Sequence, residues 1–397
     1  MNQTAIFTIS SNNYFAFSRT LLESVKKHHD DADLFFLLVD EEADSQVTSV
    51  AAGLCAVIPV KEIGIPDFQK MAFQYDIVEL NTAVKPFVID HLFKKGYHKV
   101  LYLDPDILVC GRLDSAIDAL TDHALVLTPH QLSPVIPLSG YTSYLPWEQA
   151  ALETGIFNLG FIGVSNTPEG RSFIAWWSNR CRFLCYVEPA AGLFVDQKWV
   201  DLVPCYFPSV HILRDRGYNM SAWNLHDRRL VNGRVNDAEP LVFYHFSSID
   251  MQNDDLITRH DASMQLRDRP DLLELFRSYR QSVRRNGYDY FRALPYSYAS
   301  FADGRKIELL ERRLFAALAD LVPDPFGVPS GQFGRVLRAA RRSRSDPHVR
   351  KRDGTAKRLT KSCLRTAYRF LGARWYARLV LTFRRNERFR SHVFLID

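Results

Sequence analysis

The run Leu34-Phe-Phe-Leu-Leu-Val39 is apolar throughout and stops at Asp40. Such continuity fits a strand buried on both faces, as in a parallel sheet. Ala5–Ser10 is a second β-rich run, closed by the polar Ser11-Asn12-Asn13. Between the two, Phe15–His29 sets Phe17, Leu21, Leu22 and Val25 at helical spacing and ends in a basic turn. Strand, helix and strand at this length predict a βαβ unit.

The pattern continues along the chain. Cys55–Pro59 predicts a short strand. Asn81 or Thr82 is expected to cap a helix through Phe93, with Pro86 in its first turn and Gly96 beyond its end. Val100–Leu103 is the next strand, with Asp104 at its C-terminal end. Ile156–Val164 is a strand-like run broken by Asn158, Gly160 and Gly163, and glycine inside a strand marks a close approach. Gly170–Leu184 reads as a helix, and Phe194–Val200 opens a short one near Asp196-Gln197. Leu241–Phe246 is a buried strand carrying His245.

From about residue 251 the character changes. Residues 254–286 and 306–321 read as charged helices, and 323–331 as a linker rich in Pro and Gly. Residues 335–361 are polar and basic. Residues 362–389 place Leu364, Leu371, Trp375, Leu379 and Phe383 along one helical face. The expected architecture is α/β: a mixed, mostly parallel central sheet flanked by helices, with a helical basic C-terminal extension. Its expected segments are a nucleotide-binding domain over 1–250, a helical extension over 251–330 and a basic, partly amphipathic tail over 331–397.

In open α/β sheets ligands bind at the C-terminal ends of the strands. Ser10–Asn13, Asp40 and Asp104 all stand at such ends and are expected to face one crevice. Asp104-Pro105-Asp106 is the sharpest feature there, because it sets two carboxylates inside the apolar run Val100–Val109. A divalent cation is one reason for them, since hard cations take carboxylate and phosphate oxygens. A tight turn is the other, because Asp-Pro-Asp is good turn chemistry. His245 reads either as a third ligand or as a satisfied core histidine. Asp196-Gln197 reads also as a helix start, Asn158 as a core amide and Lys85 as a solvated charge.

Bulk properties narrow the partners. The chain has 397 residues, 47% of them hydrophobic, enough for a sizeable core. It contains no apolar run long enough to predict a transmembrane helix, and Met1–Ser10 reads as a first strand rather than a leader. The six cysteines match no zinc spacing and are expected to be reduced core thiols. The net charge of +5 conceals an asymmetry: residues 331–397 carry 19 Lys and Arg against 4 acidic residues, so the rest is acidic. A polybasic amphipathic tail suits an anionic membrane surface. A solvated docking segment for a partner is the other reading. Nucleic acid is not expected, since no recognition motif accompanies the charge.

Taken in order, these segments resemble glycosyltransferases of the GT-A fold, and most closely glycosyltransferase family 8. That group of retaining hexosyltransferases includes bacterial lipopolysaccharide enzymes and glycogenin-like enzymes. Thr8-Ile-Ser-Ser-Asn-Asn-Tyr14 resembles the family's uridine-binding start, and Lys99–Ile107 its Y-L-D-x-D strand. Phe157-Asn158-Leu-Gly160 is similar to its F-N-x-G segment, Asp196-Gln197 to its D-Q pair and His245-Phe-Ser-Ser248 to its metal-binding His segment. The resemblance spans roughly residues 4–250.

It implies a metal-dependent transfer of a hexose from a nucleotide sugar, UDP-hexose by expectation, to a glycan or lipid-linked acceptor. Mn²⁺ or Mg²⁺ is expected on Asp104, Asp106 and His245. Thr8, Ser10, Asn12, Tyr14, Asp40, Lys85 and Asp104 are expected on the donor. Asn158, Asp196 and Gln197 are expected to act at the sugar, with Asp196 or Glu153 as base should the enzyme invert. The aromatics Tyr141, Tyr144 and Trp147 are candidates for the acceptor. The reduced thiols predict a cytoplasmic protein, and the basic tail offers a peripheral place at the inner face of the membrane. A catalytically silent module that binds sugar nucleotide or glycan is the alternative. The chain departs from the family after His245: Ser248 stands near the family's Gly, and the Lys-Pro-Trp that grips the diphosphate is missing. Lys85, Arg214, Arg216 and Arg228 are the substitutes the sequence offers.

Overall fold

The computed structural model describes residues 3–41, 46–135, 145–319, 322–331, 333–335 and 337, except for the side chains of residues 145, 146, 317 and 318. The amphipathic segment expected over 362–389, Tyr141 and Tyr144 lie outside the described residues.

The central sheet has seven strands: β1 (Thr4–Ser10), β2 (Asp33–Leu38), β3 (Ala56–Pro59), β4 (Lys99–Leu103), β6 (Leu125–Pro129), β7 (Phe157–Ser165) and β8 (Val210–Ile212). A short strand, β5 (Ile107–Val109), leaves the sheet after β4 and pairs antiparallel with β9 (Phe243–His245). The spatial order is β8-β6-β7-β4-β1-β2-β3. β1 pairs in parallel with β2 and β4, β2 with β3, and β6 with β8, whereas β7 runs antiparallel to β4 and β6. One reversed strand in seven makes the sheet mixed and mostly parallel, as the apolar runs predict. β1, β2, β4, β6 and β7 are buried almost end to end. That is the signature of strands covered on both faces.

The reversal of β7 decides the site. Its N-terminal end lies at the same sheet edge as the C-terminal ends of β1, β4 and β6. Phe157 therefore pairs with Pro129, which brings Asn158 and His130 together.

Several elements differ from expectation. Asn81 and Thr82 do not cap the helix through Phe93. They lie inside a preceding helix, Ile77–Ala83, where their side chains donate to the carbonyls of Ile77 and Val78. The next helix, Lys85–Lys94, starts afresh at Lys85-Pro86, because proline is tolerated only in a first turn. Residues 254–272 are loop and short 3₁₀ turns, and the α-helix begins only at Leu273 and ends at Arg285. Polar residues that bond their own backbone compete with helix here: Asp250 accepts from the N–H groups of Gln252 and Asn253, and Asp261 from that of Ser263. Cys181 and Cys185 are buried, but Cys205 is exposed.

Two compact units make up the chain. The first comprises Met1–Met71 and Ile77–Ser297. The second comprises Ala72–Asp76 and Tyr298–Asp397. Within the second, Arg312 is buried and donates to the carbonyls of Ala72, Phe73, Tyr75 and Tyr298. Phe73 packs there against Phe301, Phe315, Phe326 and Phe333. Among the described residues no helix is long and apolar enough to cross a membrane.

Candidate metal centre and active site

Asp104 closes β4 and Asp106 precedes β5. The link between them is a tight turn in which Ile107 N–H donates to the Asp104 carbonyl (3.1 Å). The turn and the metal reading of Asp-Pro-Asp are thus compatible. Pairing of β5 with β9 sets His245 opposite Ile107, and Phe246 N–H donates to the Asp106 carbonyl. His245 Nε2 consequently lies 3.1 Å from Asp106 Oδ1 and 3.7 Å from Asp104 Oδ2. One ligand atom from each of the three residues falls within 4.8 Å of the others.

The protonation of His245 follows from its other nitrogen. Nδ1 lies 3.1 Å from Asn158 Oδ1. Asn158 Nδ2 lies 3.2 Å from His130 Nε2, and His130 Nδ1 lies 3.2 Å from the Ile156 carbonyl. A carbonyl can only accept, so His130 donates through Nδ1 and accepts at Nε2. Asn158 must then donate to His130 and accept from His245 Nδ1. Desolvation pushes the His130 pKa down to about 4, which keeps that ring neutral. The series fixes a proton on His245 Nδ1 and leaves Nε2 facing two carboxylates. Three electron-rich groups so close need a cation or a proton. Burial disfavours the imidazolium, but Asp106 and Asp104 outweigh it and raise the His245 pKa; desolvation also raises that of Asp104. Two carboxylate oxygens and an imidazole nitrogen fit a divalent metal ion. A histidine ligand oriented through its second nitrogen is how such sites are built.

Gly160 is required by this arrangement. A Cβ built there would stand 2.7 Å from His245 Nδ1 and 2.8 Å from Asn158 Oδ1. The Trp223 ring lies edge-on to both His130 (5.1 Å) and His245 (5.2 Å), completing the wall.

Beside the cluster, Lys85 is buried. Its Nζ lies 2.7 Å from Asp196 Oδ2, donates to the Leu159 carbonyl (2.7 Å) and stands 4.2 Å from the centre of the Tyr102 ring. The Tyr102 hydroxyl donates to Asp104 Oδ1 (2.5 Å). Desolvation raises the Asp196 pKa against the pull of Lys85. Gln197 spans two main-chain groups: its Oε1 accepts from Leu159 N–H (3.0 Å), and its Nε2 donates to the Thr154 carbonyl (3.1 Å). The amides of Asn158 and Gln197 are therefore both committed at their two ends.

Asp104 and Asp106 stand on the border of two hollows. One, of about 700 Å³, is lined by Lys85, Asn158, Asp196, Gln197, Trp147, Trp223 and His245 among others. The other, of about 390 Å³, is lined by Ser10, Asn13, Tyr14, Asn81 and Arg259 among others. Both sizes suit small-molecule ligands. Thr8, Asn12 and Asp40 are buried behind the second wall. Asp40 accepts from the N–H groups of Asn12 (3.3 Å) and Ser297 (2.8 Å), and Asn12 Nδ2 donates to the Glu41 carbonyl. Ser10 Oγ lies 2.8 Å from Ser18 Oγ, and the Tyr14 ring stacks on Phe17.

The structure thus brings together Lys85, Asp104, Asp106, Asn158, Asp196, Gln197 and His245, with Ser10 and Tyr14 across the Asp pair. His130, Tyr102, Trp223 and Arg259 are the residues the sequence reading passed over. His130 had a usable signal: it follows the apolar run Ala124–Leu127 by way of Thr128-Pro129, at the end of a strand as Asp40 follows Leu34–Val39.

No family model matches the chain. Among curated proteins it is 28% identical over 247 residues to the uncharacterized protein YfnD of Bacillus subtilis (strain 168), covering 60% of this chain and 76% of that one. It is 26% identical over 250 residues to YfnF of the same organism, covering 62% and 81%. Among solved structures it is similar to the galactosyltransferase LgtC in complex with donor and acceptor sugar analogs, at a TM-score of 0.42 and 18% identity over 70% of this chain and 95% of that one. It is similar also to mouse xyloside xylosyltransferase 1, at a TM-score of 0.36 and 14% identity over 61% and 97%.

The hydrogen-bonded series makes a prediction. Asn158→Leu leaves His245 Nδ1–H unpaired and frees the ring to turn, so Mn²⁺ affinity should fall about 10- to 100-fold. Calorimetric titration of Mn²⁺ checks it. Unchanged affinity would show that His245 needs no such support.

Proposed function

We propose that the chain is a metal-dependent hexosyltransferase that moves a sugar from a nucleotide donor, by expectation a UDP-hexose, to a glycan or lipid-linked saccharide. One observation carries the reading: two Asp and a His converge at the C-terminal edge of the sheet, on the border of two hollows. A diphosphate joins a nucleoside to a sugar, and this border is where a diphosphate must lie if the two ends occupy the two hollows.

In this reading Asp104, Asp106 and His245 hold Mn²⁺ or Mg²⁺. The bound ion supplies Lewis acidity toward the leaving diphosphate. Ser10 and Tyr14 form the nucleoside wall. Asn12 and Asp40 fix the loop behind it, so their part in donor binding is indirect, and Thr8 is buried within β1. The larger hollow takes the hexose and, toward Trp147, the acceptor.

The transition state of glycosyl transfer is oxocarbenium-like, with positive charge growing on the sugar. Asp196 supplies a negative charge on that side, held by Lys85. Asn158 and Gln197 act by holding His245 and β7 in place. Retention of configuration is favoured by the engagement of every carboxylate lining the larger hollow. Asp104 and Asp106 face His245, Asp196 pairs with Lys85, and Asp261 accepts from Ser263. Among the described residues lining this hollow none is left uncommitted as a base, and the leaving phosphate is then the natural acceptor of the incoming hydroxyl's proton. Glu153, the other base offered by the sequence, is exposed and lines neither hollow.

The test is release of nucleoside diphosphate from a panel of UDP- and GDP-sugars, with Mn²⁺ and with chelator. Metal-dependent turnover of one UDP-hexose is expected, and Asp106→Ala should lower it by at least about 10³-fold, or 4 kcal/mol. Full activity in Asp106→Ala would sink the assignment.

Residues 331–397 support a further part of the reading, attachment to an anionic cytoplasmic membrane face, because a polybasic segment gains about 1 kcal/mol per Lys or Arg near such a surface. The full chain should co-sediment with phosphatidylserine vesicles at low salt, less so at high salt, and not with phosphatidylcholine vesicles. Equal binding to both would remove the electrostatic role.

A further inference from the structure

A diphosphate between the two hollows lies against acidic groups and needs cations besides a metal. The loop after His245 carries no Lys or Arg from Phe246 through Thr258. The substitutes offered by the sequence are otherwise occupied. Lys85 is taken by Asp196 and the Leu159 carbonyl. Arg228 is buried and donates to the carbonyls of Arg216 and Tyr218. Arg216 faces Asp227, and Arg214, Arg216 and Arg228 line neither hollow.

We propose that Arg259 binds the diphosphate of the nucleotide, in the hollow it shares with Tyr14, Asp104 and Asp106. The inference rests on the transferase reading and names a residue outside the segment that resembles the family. Among the described residues lining that hollow, Arg259 is the one Lys or Arg. Among the described residues it forms no ion pair, and its side chain makes a single long contact, Nε to the Ser248 carbonyl at 3.4 Å. Its guanidinium is therefore available for phosphate oxygens, which it matches in geometry and charge. Its charge is felt at the Tyr14 phenol, opposing the effect of Asp106 and Asp104 there.

The position of Arg259 is built by the fold. Ser248 takes a left-handed conformation (φ 54°), which turns the chain away after His245. The loop then returns: Thr258 Oγ1 donates to the Ser247 carbonyl (3.0 Å) and Arg259 N–H to the Ser248 carbonyl (3.0 Å). Arg280, buried on the helix Leu273–Arg285, holds the excursion by donating to the carbonyls of Asp250, Asn253, Asp254 and Leu256. Arg259 is thus delivered beside the Asp104, Asp106 and His245 cluster by a loop held through hydrogen bonds to its own main chain. Preorganisation of this kind lowers the cost of binding.

The experiment is calorimetric titration of the full chain, with Mn²⁺ present, by UDP, uridine and inorganic pyrophosphate. Wild type is compared with Arg259→Ala and Arg259→Lys. A charge-assisted hydrogen-bonding cation is worth about 10- to 100-fold in affinity. Arg259→Ala should weaken UDP by that factor and leave uridine within about 2-fold, with Arg259→Lys recovering part of the loss. Pyrophosphate weakened in parallel locates the contact on the phosphates themselves. UDP binding unchanged in Arg259→Ala, or equal losses for UDP and uridine, overturns the inference while leaving the transferase reading intact. A wild-type chain that binds no nucleoside diphosphate overturns both.

Discussion

Two carboxylates face the Nε2 of one imidazole, and the rest of the site is arranged to hold them there. Left to themselves these groups repel or capture a proton; a divalent cation removes the conflict. Holding the imidazole costs the fold several features. β5 must leave the main sheet to pair with β9, so that His245 meets Asp106. β7 must run against its neighbours, so that Asn158 stands at the same edge as His130. Residue 160 must lack a side chain, because His245 lies where a Cβ would be.

The same edge carries a second buried charge arrangement. Lys85 and Asp196 are both sequestered from solvent, where breaking one partner would leave an uncompensated charge costing about 3–5 kcal/mol. Tyr102 connects the two arrangements, touching Lys85 through its ring and Asp104 through its hydroxyl. The negative side of the larger hollow is thereby fixed in position, whereas Arg259 meets the smaller hollow with a single long contact to the Ser248 carbonyl. In the proposed reading this gives an acidic sugar side and a cationic phosphate side, the polarity that a departing diphosphate requires.

Much of this was legible in the chain, and for a local reason. A strand covered on both faces writes itself as a continuous apolar run, so Leu34–Val39 and Val100–Leu103 announce both their burial and, at Asp40 and Asp104, their ends. The F-N-x-G and Asp-Pro-Asp segments are short because each serves one turn or one close approach. Leu125–Pro129 and Val210–Ile212 went unread because they are brief, and with them went His130. Its role depends on a pairing, Pro129 with Phe157, that no local pattern records. The helix expected over 254–286 failed in its first half because capping acids and a returning loop override charge patterning. Arg259 was invisible for the same cause: it reaches the site through an eleven-residue excursion whose shape is set by Arg280, not by its own neighbours.

The most direct test of the account is electron paramagnetic resonance of Mn²⁺ bound to the chain with UDP, resolved for nuclear couplings. The account predicts a ¹⁴N coupling from His245, lost in His245→Ala, together with a ³¹P coupling from the diphosphate on the same ion. A Mn²⁺ signal with neither coupling, indistinguishable from the ion in UDP solution, would contradict it.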